Sequence, residues 1–190
     1  MNKLSRREEL KNCAASLFRK KGYSATSVRD IAKEMGMEAP SLYNHIRSKK
    51  EILEELLIEL GNAFVGGMKE IKEAPISSIQ KLERIVGLHV KLTIEHTDAI
   101  SLITSEYVHL DGKCAKDYRA LRDRYESDLR KIIKSCIKEG EIKQVNVELA
   151  MFSILSTLRW LYSWYSKNKN MNPIALEQEM IKNLIEGIRK

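Results

Sequence analysis

Groups able to do covalent or metal chemistry are sparse and scattered in this chain of 190 residues. The three cysteines, Cys13, Cys114 and Cys136, are odd in number and far apart, with no CxxC pair and no Cys/His cluster at zinc spacing. They read as reduced thiols. His89 and His96 stand seven apart with no carboxylate placed to complete a site, so neither a metal nor another cofactor is expected. No Ser/His/Asp or Cys/His grouping forms a local motif for a nucleophile and its base. A helical enzyme with a basic N-terminal module remains the rival class, and it leaves the most uneven property of the chain unused. Residues 1–50 hold 12 Lys/Arg against 5 Asp/Glu, while the other 140 residues hold 21 of each, so the whole net charge of +7 sits in the first quarter. A compact basic module on a neutral body is the electrostatic footprint of a polyanion binder. Nucleic acid is the first partner to consider and a membrane surface the second.

The elements that must position such a module are helical. Apolar residues make up 43% and aromatics 6%, with only 9 Gly and 3 Pro, which suits helices and supplies too few turn signals for a β-sandwich or barrel. Ser5-x-x-Glu8, Ser27-x-x-Asp30, Ser48-x-x-Glu51 and Ser77-x-x-Gln80 each place a hydroxyl three residues before an acid or amide, the reciprocal cap of a helix start. Asn146 and Asn172-Pro173 cap in related ways. Gly22, Gly36, Gly112 and Gly140 mark stops. Between these marks apolar residues recur at helical spacing, as in Leu10, Ala14, Leu17 and Phe18, or Leu121, Tyr125, Leu129, Ile132, Ile133 and Cys136. The reading is all-α with nine helices, at about 5–21, 27–35, 39–45, 49–73, 78–97, 99–109, 115–139, 147–167 and 173–188, and no strand. Gly61 and Gly66-Gly67 inside the fourth helix mark either a bend or a close helix contact. No segment approaches 18 uncharged apolar residues, so no membrane span is expected. The opening Met1-Asn2-Lys3-Leu4-Ser5-Arg6-Arg7 has no apolar stretch behind it, so no secretory signal is read and a cytoplasmic protein is expected.

Within the basic quarter, the second and third helices are separated only by Gly36-Met37-Glu38. Two short helices joined by a Gly-containing turn form the pattern of a helix-turn-helix. Val28, Ile31, Ala32 and Met35 fall on one face of the second helix. The third begins Glu38-Ala39-Pro40-Ser41, presenting short side chains at the end that faces base edges in a recognition helix. A membrane-surface helix would instead want a large apolar face ringed by Lys. The run Leu17-Phe18…Gly22-Tyr23…Thr26…Arg29-Asp30-Ile31-Ala32…Met35-Gly36…Ser41-Leu42-Tyr43-Asn44-His45-Ile46…Ser48-Lys49…Ile52-Leu53 resembles the DNA-binding domain of the TetR family of bacterial repressors. That resemblance implies that Arg29, Ala39, Pro40 and Ser41 lie against bases, that Asn44 is a specificity position, and that Ser27, Tyr43, His45 and Lys49 hold phosphates. The chemistry agrees: Arg29 can fork to guanine, Ala39 or Pro40 can pack on a thymine methyl, and Ser41 can pair with either kind of edge. Read without the motif, Tyr43 is a core residue of a small bundle, and Asn44 and His45 are ordinary surface residues.

Residues 1–50 are thus expected to be the DNA-binding domain and residues 51–190 a ligand-binding and dimerisation domain. The eighth helix, 147–167, is apolar nearly all round, so it needs cover on two sides: its own core and a partner chain. The ninth, 173–188, carries Ile174, Ile181, Leu184, Ile185 and Ile188, a stripe that suits the same interface. The resemblance likewise implies a homodimer through these two helices, reading a palindrome with two recognition helices about one DNA turn apart. The stretch Trp160-Leu-Tyr-Ser-Trp164-Tyr165 followed by Asn172-Pro173 is similar to a branch of the family that responds to acyl-coenzyme A thioesters. Trp160 and Trp164 are then either ligand contacts or interface and core aromatics. Arg119, Arg122 and Arg159 can meet CoA phosphates, and His89, Thr93, His96, Thr104 and Tyr107, on helices expected to be buried, can line a ligand site. Taken together, these features predict a transcriptional repressor that binds a palindromic operator as a homodimer and is released by a small apolar effector, with an acyl-CoA as the leading effector class and a drug or lipid sensor of an efflux system as the alternative.

Overall fold

A computed structural model of the chain describes residues 5–190; the expectation drawn from Met1-Asn2-Lys3-Leu4 lies outside the described residues. Among those, nine α-helices and no strand are present: α1 (Arg6–Lys21), α2 (Val28–Glu34), α3 (Ala39–Leu42), α4 (Lys49–Glu73), α5 (Ser78–Glu95), α6 (Thr97–Ser105), α7 (Gly112–Lys138), α8 (Val147–Tyr165) and α9 (Pro173–Ile181). The caps predicted from sequence form as hydrogen bonds. Ser5, Ser27 and Ser77 each close a reciprocal box, and the Asn146 and Asn172 side chains accept from the first amides of α8 and α9. At Ser48 only half of the expected box forms, its hydroxyl accepting from the Glu51 amide while the Glu51 carboxylate accepts from the Arg47 amide. Four boundaries shift. α7 begins at Gly112, which the sequence marks as a stop, rather than at 115. The expected helix 39–45 is a four-residue α-turn, because the amides of Asn44 and His45 bond back only three residues, to Ser41 and Leu42. The expected 99–109 divides into α6 and a 3-10 turn, Tyr107–His109, and the expected 173–188 ends as α9 with a π turn over Lys182–Glu186.

The helices form two compact units, which divide the chain differently from a cut at residue 50: residues 51–60 and 98–118 pack with the first fifty. One unit takes the chain up to Leu60 together with Asp98–Tyr118. Its core joins Leu10, Ala14, Leu17 and Phe18 of α1 to Ile31 and Ala32 of α2, Leu42 of α3, Ile46, and Ile52, Leu53, Leu56 and Leu57 of α4, with Leu102, Leu110 and Tyr118. Side chains from α1 tie this core to α4. Arg7 pairs with Glu51 and Glu55 and also donates to the His45 carbonyl, while Lys11 pairs with Glu59 at 2.6 Å. Arg19 of α1 reaches Asp98 at 2.6 Å, and Lys50 pairs with Asp111.

The other unit comprises Gly61–Thr97 and Arg119–Lys190. Met68, Ile71, Leu82, Ile85, Val86, Leu129, Ile133, Met151, Ile154, Leu155, Leu158, Leu176 and Ile185 build its core. At Gly67 a methyl group would stand 2.6 Å from Leu88, so this glycine is there for close helix contact; Gly61 lies similarly tight against Leu121. Inside the core, His89 Nε2 and the Tyr125 hydroxyl are 2.9 Å apart, and the Phe64 ring packs on the imidazole at 4.7 Å between centroids. Burial, with the Arg159 charge adding to it, drives His89 down to about 3, so the ring is neutral; burial also pushes the Tyr125 phenol well above its usual range. The hydrogen-bonded pair lets two polar groups remain in an apolar interior. The buried Cys136 thiol is pushed up to about 12 by burial and then by Glu141 and Glu139, which makes it inert.

Candidate nucleic-acid interface

α2 and α3 are joined by Met35-Gly36-Met37-Glu38, and Gly36 takes the left-handed conformation (φ +63°) that ends α2 and turns the chain. Ile31, Ala32 and Leu42 bury the inner faces, Val28 and Met35 being partly covered, so the outer faces are presented as one surface. Ser27, Arg29, Pro40, Ser41, Tyr43 and Asn44 are exposed on it, and Ala39, His45 and Lys49 are half-buried. Tyr43 is 55% exposed, which excludes the reading of it as a core residue. The small side chains Ala39, Pro40 and Ser41 at the start of α3, with Arg29 on α2, give a shallow surface bearing one planar fork donor, hydroxyls and apolar carbon. That is the set needed to sort base edges in a major groove.

Two of these residues are already engaged within the protein. The Ser27 hydroxyl accepts from the Asp30 amide at 3.1 Å and donates to its carboxylate at 2.6 Å. This hydroxyl, then the Ser27 amide and Lys21, holds the Asp30 carboxyl at about 2. The Lys49 ammonium donates to the carbonyls of Tyr23 and Thr26, at 2.7 Å each, and lies 4.2 Å from the centre of the Tyr23 ring.

Among the candidates for effector contact, His89 and Arg159 lie within electrostatic reach of each other. His89 is buried with Tyr125, a partner that sequence reading misses because Tyr125 stands within the apolar stripe of α7; a phenol in such a stripe, needing a buried partner, is the signal. The expected burial of His96 and Tyr107 is corrected. His96 is the exposed C-cap of α5, where the helix has already ended, and Tyr107 lies 40% exposed on the 3-10 turn in the first unit. Arg122 is exposed beside Asp123, and Arg159 pairs with Glu126 at 2.6 Å. Trp160 and Trp164 are 61% and 45% exposed on the outer face of α8.

That face also carries Leu149 (64% exposed) and Phe152 (68%), so α8 has one apolar side in its core and one uncovered. The stripe on the expected ninth helix behaves otherwise. Ile185 is wholly buried in the unit's own core, and Ile181, Leu184 and Ile188 pack against it, because the π turn and the backbone link from the Lys143 amide to the Ile188 carbonyl fold this end inward. Only Ile174 of that stripe stays uncovered, at 67%. Among the described residues no helix is long and apolar enough to cross a membrane.

Known proteins share both the sequence pattern and this geometry. Residues 12–56 match the bacterial regulatory proteins of the tetR family, and residues 75–188 match a tetracyclin repressor-like C-terminal domain. The HTH-type transcriptional repressor KstR2 of Rhodococcus jostii (strain RHA1) is 27% identical over 189 residues, which is 98% of this chain and 92% of that protein. The structure of the ketosteroid transcriptional regulator KstR2 of Mycobacterium tuberculosis aligns with a TM-score of 0.92 at 24% identity, over 100% of this chain and 97% of that one. AibR, in complex with isovaleryl coenzyme A and operator DNA, aligns with a TM-score of 0.80 at 21% identity, over 95% of this chain and 98% of that one. The two structural likenesses speak for the fold alone. The C-terminal match covers more than half of the chain, the N-terminal match covers the helix-turn-helix just described, and the chain belongs to the TetR family of transcriptional regulators, which are not enzymes.

Proposed function

We propose that the protein is a ligand-responsive repressor that binds palindromic operator DNA as a homodimer. The observation that carries this reading is the exposed Ala39-Pro40-Ser41 end of α3 beside Arg29, on the part of the chain that holds the whole net charge. Arg29 forks to guanine, Ala39 and Pro40 pack on a thymine methyl, and Ser41 and Asn44 bond to base edges. Ser27, Tyr43, His45 and Lys49 face the sugar-phosphate backbone. Residues 1–50 supply DNA binding, and 51–190 supply the effector site and the dimer contact.

The uncovered face of α8, Leu149, Phe152, Trp160 and Trp164, supports a second copy as its cover, since four large apolar side chains on one face are a poor fit to water. A two-fold pair presents two recognition surfaces to a palindrome. An acyl-CoA thioester as effector is supported by AibR, whose structure holds isovaleryl coenzyme A together with operator DNA. His89, Arg122, Arg159, Trp160 and Trp164 are the residues to test for it. Release requires the effector to bind the DNA-incompetent arrangement more tightly, and a few kcal/mol of difference shifts occupancy by two decades or more.

Selection of bound DNA from a random duplex pool, with and without a panel of acyl-CoA thioesters and lipophilic drugs, tests this. A palindromic consensus lost on addition of one thioester is the expected result. Loss only with a drug would favour the efflux-sensing alternative, and no consensus at moderate salt would defeat the DNA reading. Within a consensus, Arg29→Ala should cost about 1–3 kcal/mol and relax preference at one position; equal loss on every sequence would show that Arg29 touches no base.

A further inference from the structure

Two polar atoms in the core of the second unit are left over once the hydrogen bonds are assigned. Thr93 is 1% exposed and His89 5%, and they stand one helical turn apart on the buried face of α5. His89 Nε2 is taken by the Tyr125 hydroxyl at 2.9 Å. Among the described residues, neither His89 Nδ1 nor the Thr93 hydroxyl has a hydrogen-bond partner. Polar side-chain atoms sealed inside the described fold all have one. These two are therefore not sealed: each borders space rather than packed protein, within a residue that is otherwise enclosed.

The hydrogens follow from the bonding. The Tyr125 hydroxyl has a single proton and His89 as its one partner, so the phenol donates and Nε2 accepts. Burial keeps the imidazole neutral, which puts its one hydrogen on Nδ1. Nδ1–H and the Thr93 O–H are then two donors with nothing to receive them. Their surroundings are apolar: the Phe64 ring lies 4.7 Å from the imidazole and 5.6 Å from the Tyr125 ring, and Val86 and Val90 are buried on the same helix. The positive charge that reaches His89, that of Arg159, is matched by Glu126 at 2.6 Å.

We infer that His89 and Thr93 form a subsite for an uncharged carbonyl oxygen on an otherwise apolar effector. A carbonyl oxygen has two lone pairs and accepts from both donors at once. An ammonium brings only donors to donors, and a carboxylate would lie here without a charge partner, at a large desolvation cost. The inference rests on the ligand-responsive reading above and narrows its effector. The thioester carbonyl of an acyl-CoA and a ketone on the apolar body both offer this oxygen.

Calorimetric titration of the full-length protein with methyl nonyl ketone, decanoyl-CoA, decanoate and decylamine tests it, in the wild type and in Thr93→Val, which keeps nearly the same shape and lacks the hydroxyl. The wild type should bind a carbonyl probe at least about tenfold more tightly than the acid or the amine. Thr93→Val should lose about tenfold for that probe and bind the acid and amine as before. Loss for decanoyl-CoA places the thioester carbonyl in the subsite, and loss for the ketone alone places a carbonyl of the apolar body there. A variant that binds both carbonyl probes like the wild type overturns the inference, as does a wild type that binds none of the four or prefers the acid or the amine. Imidazole nitrogen NMR shifts give a second readout should Thr93→Val fail to fold: Nδ1 should carry the proton in the free protein and its signal should move when the carbonyl probe is added. A proton on Nε2, or a signal that does not move, overturns the inference. Carbonyl binding as expected with operator affinity unchanged leaves the subsite standing and removes the effector reading. Operator release by decanoyl-CoA that is alike in Thr93→Val and wild type does the reverse.

Discussion

Two surfaces are left over once the helices have buried what they can, and they are opposites. At α3 the outward residues are small or polar, Ala39, Pro40 and Ser41, near Arg29 and Tyr43. On α8 they are large and apolar, Leu149, Phe152, Trp160 and Trp164. Their supports differ too. α3 is four residues long and could not stand alone, since a nucleus that short fixes more dihedrals than it gains hydrogen bonds. It is held by Leu42 in the core and by the bond from Arg7 to the His45 carbonyl just beyond it. α8 has 19 residues and six of its own side chains buried. The polar surface is thus built of small groups on a borrowed scaffold, and the apolar one of large groups on a scaffold of its own.

The comparison breaks first where the borrowed scaffold is removed. Phe18 is wholly buried between α1 and its neighbours, and Phe18→Ala should cost about 3–5 kcal/mol from the missing transfer free energy and the cavity left behind. Denaturant unfolding and operator binding should fail together. Binding that persists at full strength would mean the α3 surface does not depend on this core.

Next comes the α8 face. Phe152→Asp places a charge on a side chain that is 68% exposed in the single chain, so folding should be unaffected. In a covered interface the same charge is buried unpaired. Dimers should dissociate by light scattering, and affinity for a palindrome should fall about a hundredfold or more. Leu184, which the sequence offers equally, is the wrong position for this test, because it packs on the core of its own chain. A Phe152→Asp protein that remains dimeric moves the interface elsewhere.

The difference between Phe152 and Leu184 shows where sequence reading runs out. Capping boxes, glycine stops and the helix-turn-helix spine are local, and a few residues decide each: Ser27 and Asp30 close their box as their spacing requires. A stripe of apolar residues says only that a face is buried, not whether its own core or another chain buries it. The π turn with the Lys143–Ile188 backbone bond, invisible in the pattern, folds the end of the expected ninth helix onto its own core, while α8 keeps one apolar side uncovered. The same limit hides Tyr125. His89 and Tyr125 are 36 residues apart, and only packing makes them partners. Lys49 is legible as a cation at a helix start, whereas the two carbonyls that receive it come from a loop 23 and 26 residues earlier.

The core behind the apolar surface can be probed by acid. His89 is neutral in the fold with its titration driven down to about 3 by burial, and the unfolded chain takes up its proton near the ordinary value of about 6.5. Between those values the unfolded state binds more protons, so stability falls as pH drops through about 6.5 toward 3. From pH 7 to pH 5 the loss from this one residue should be about 2 kcal/mol. Comparing denaturant midpoints of the wild type and His89→Gln at both pH values isolates it: the variant, with no group to protonate there, should lose less. Equal losses would mean that the histidine is protonated in the native fold, and that the interior behind α8 is wetter than its packing with Phe64 and Tyr125 describes.

The smallest effect is expected at the edge of the polar surface. The Ser27 hydroxyl caps α2 by accepting from the Asp30 amide, and it also donates to the carboxylate that reaches back to the Ser27 amide. Ser27→Ala removes the cap and should cost about 1 kcal/mol. It also removes the first cause of the depressed Asp30 titration, so that carboxyl should move up from about 2 toward its ordinary range. The sign follows: a carboxylate held low contributes stability above its unfolded value of about 3.8 and loses it as pH falls toward 2, so the variant should be less sensitive to acid across that window. A carboxyl chemical-shift titration of Asp30 in the two proteins checks the cause directly. If Asp30 stays low without the hydroxyl, the Ser27 amide and Lys21 suffice to hold it, and the start of α2 owes its place to backbone and charge rather than to the serine side chain.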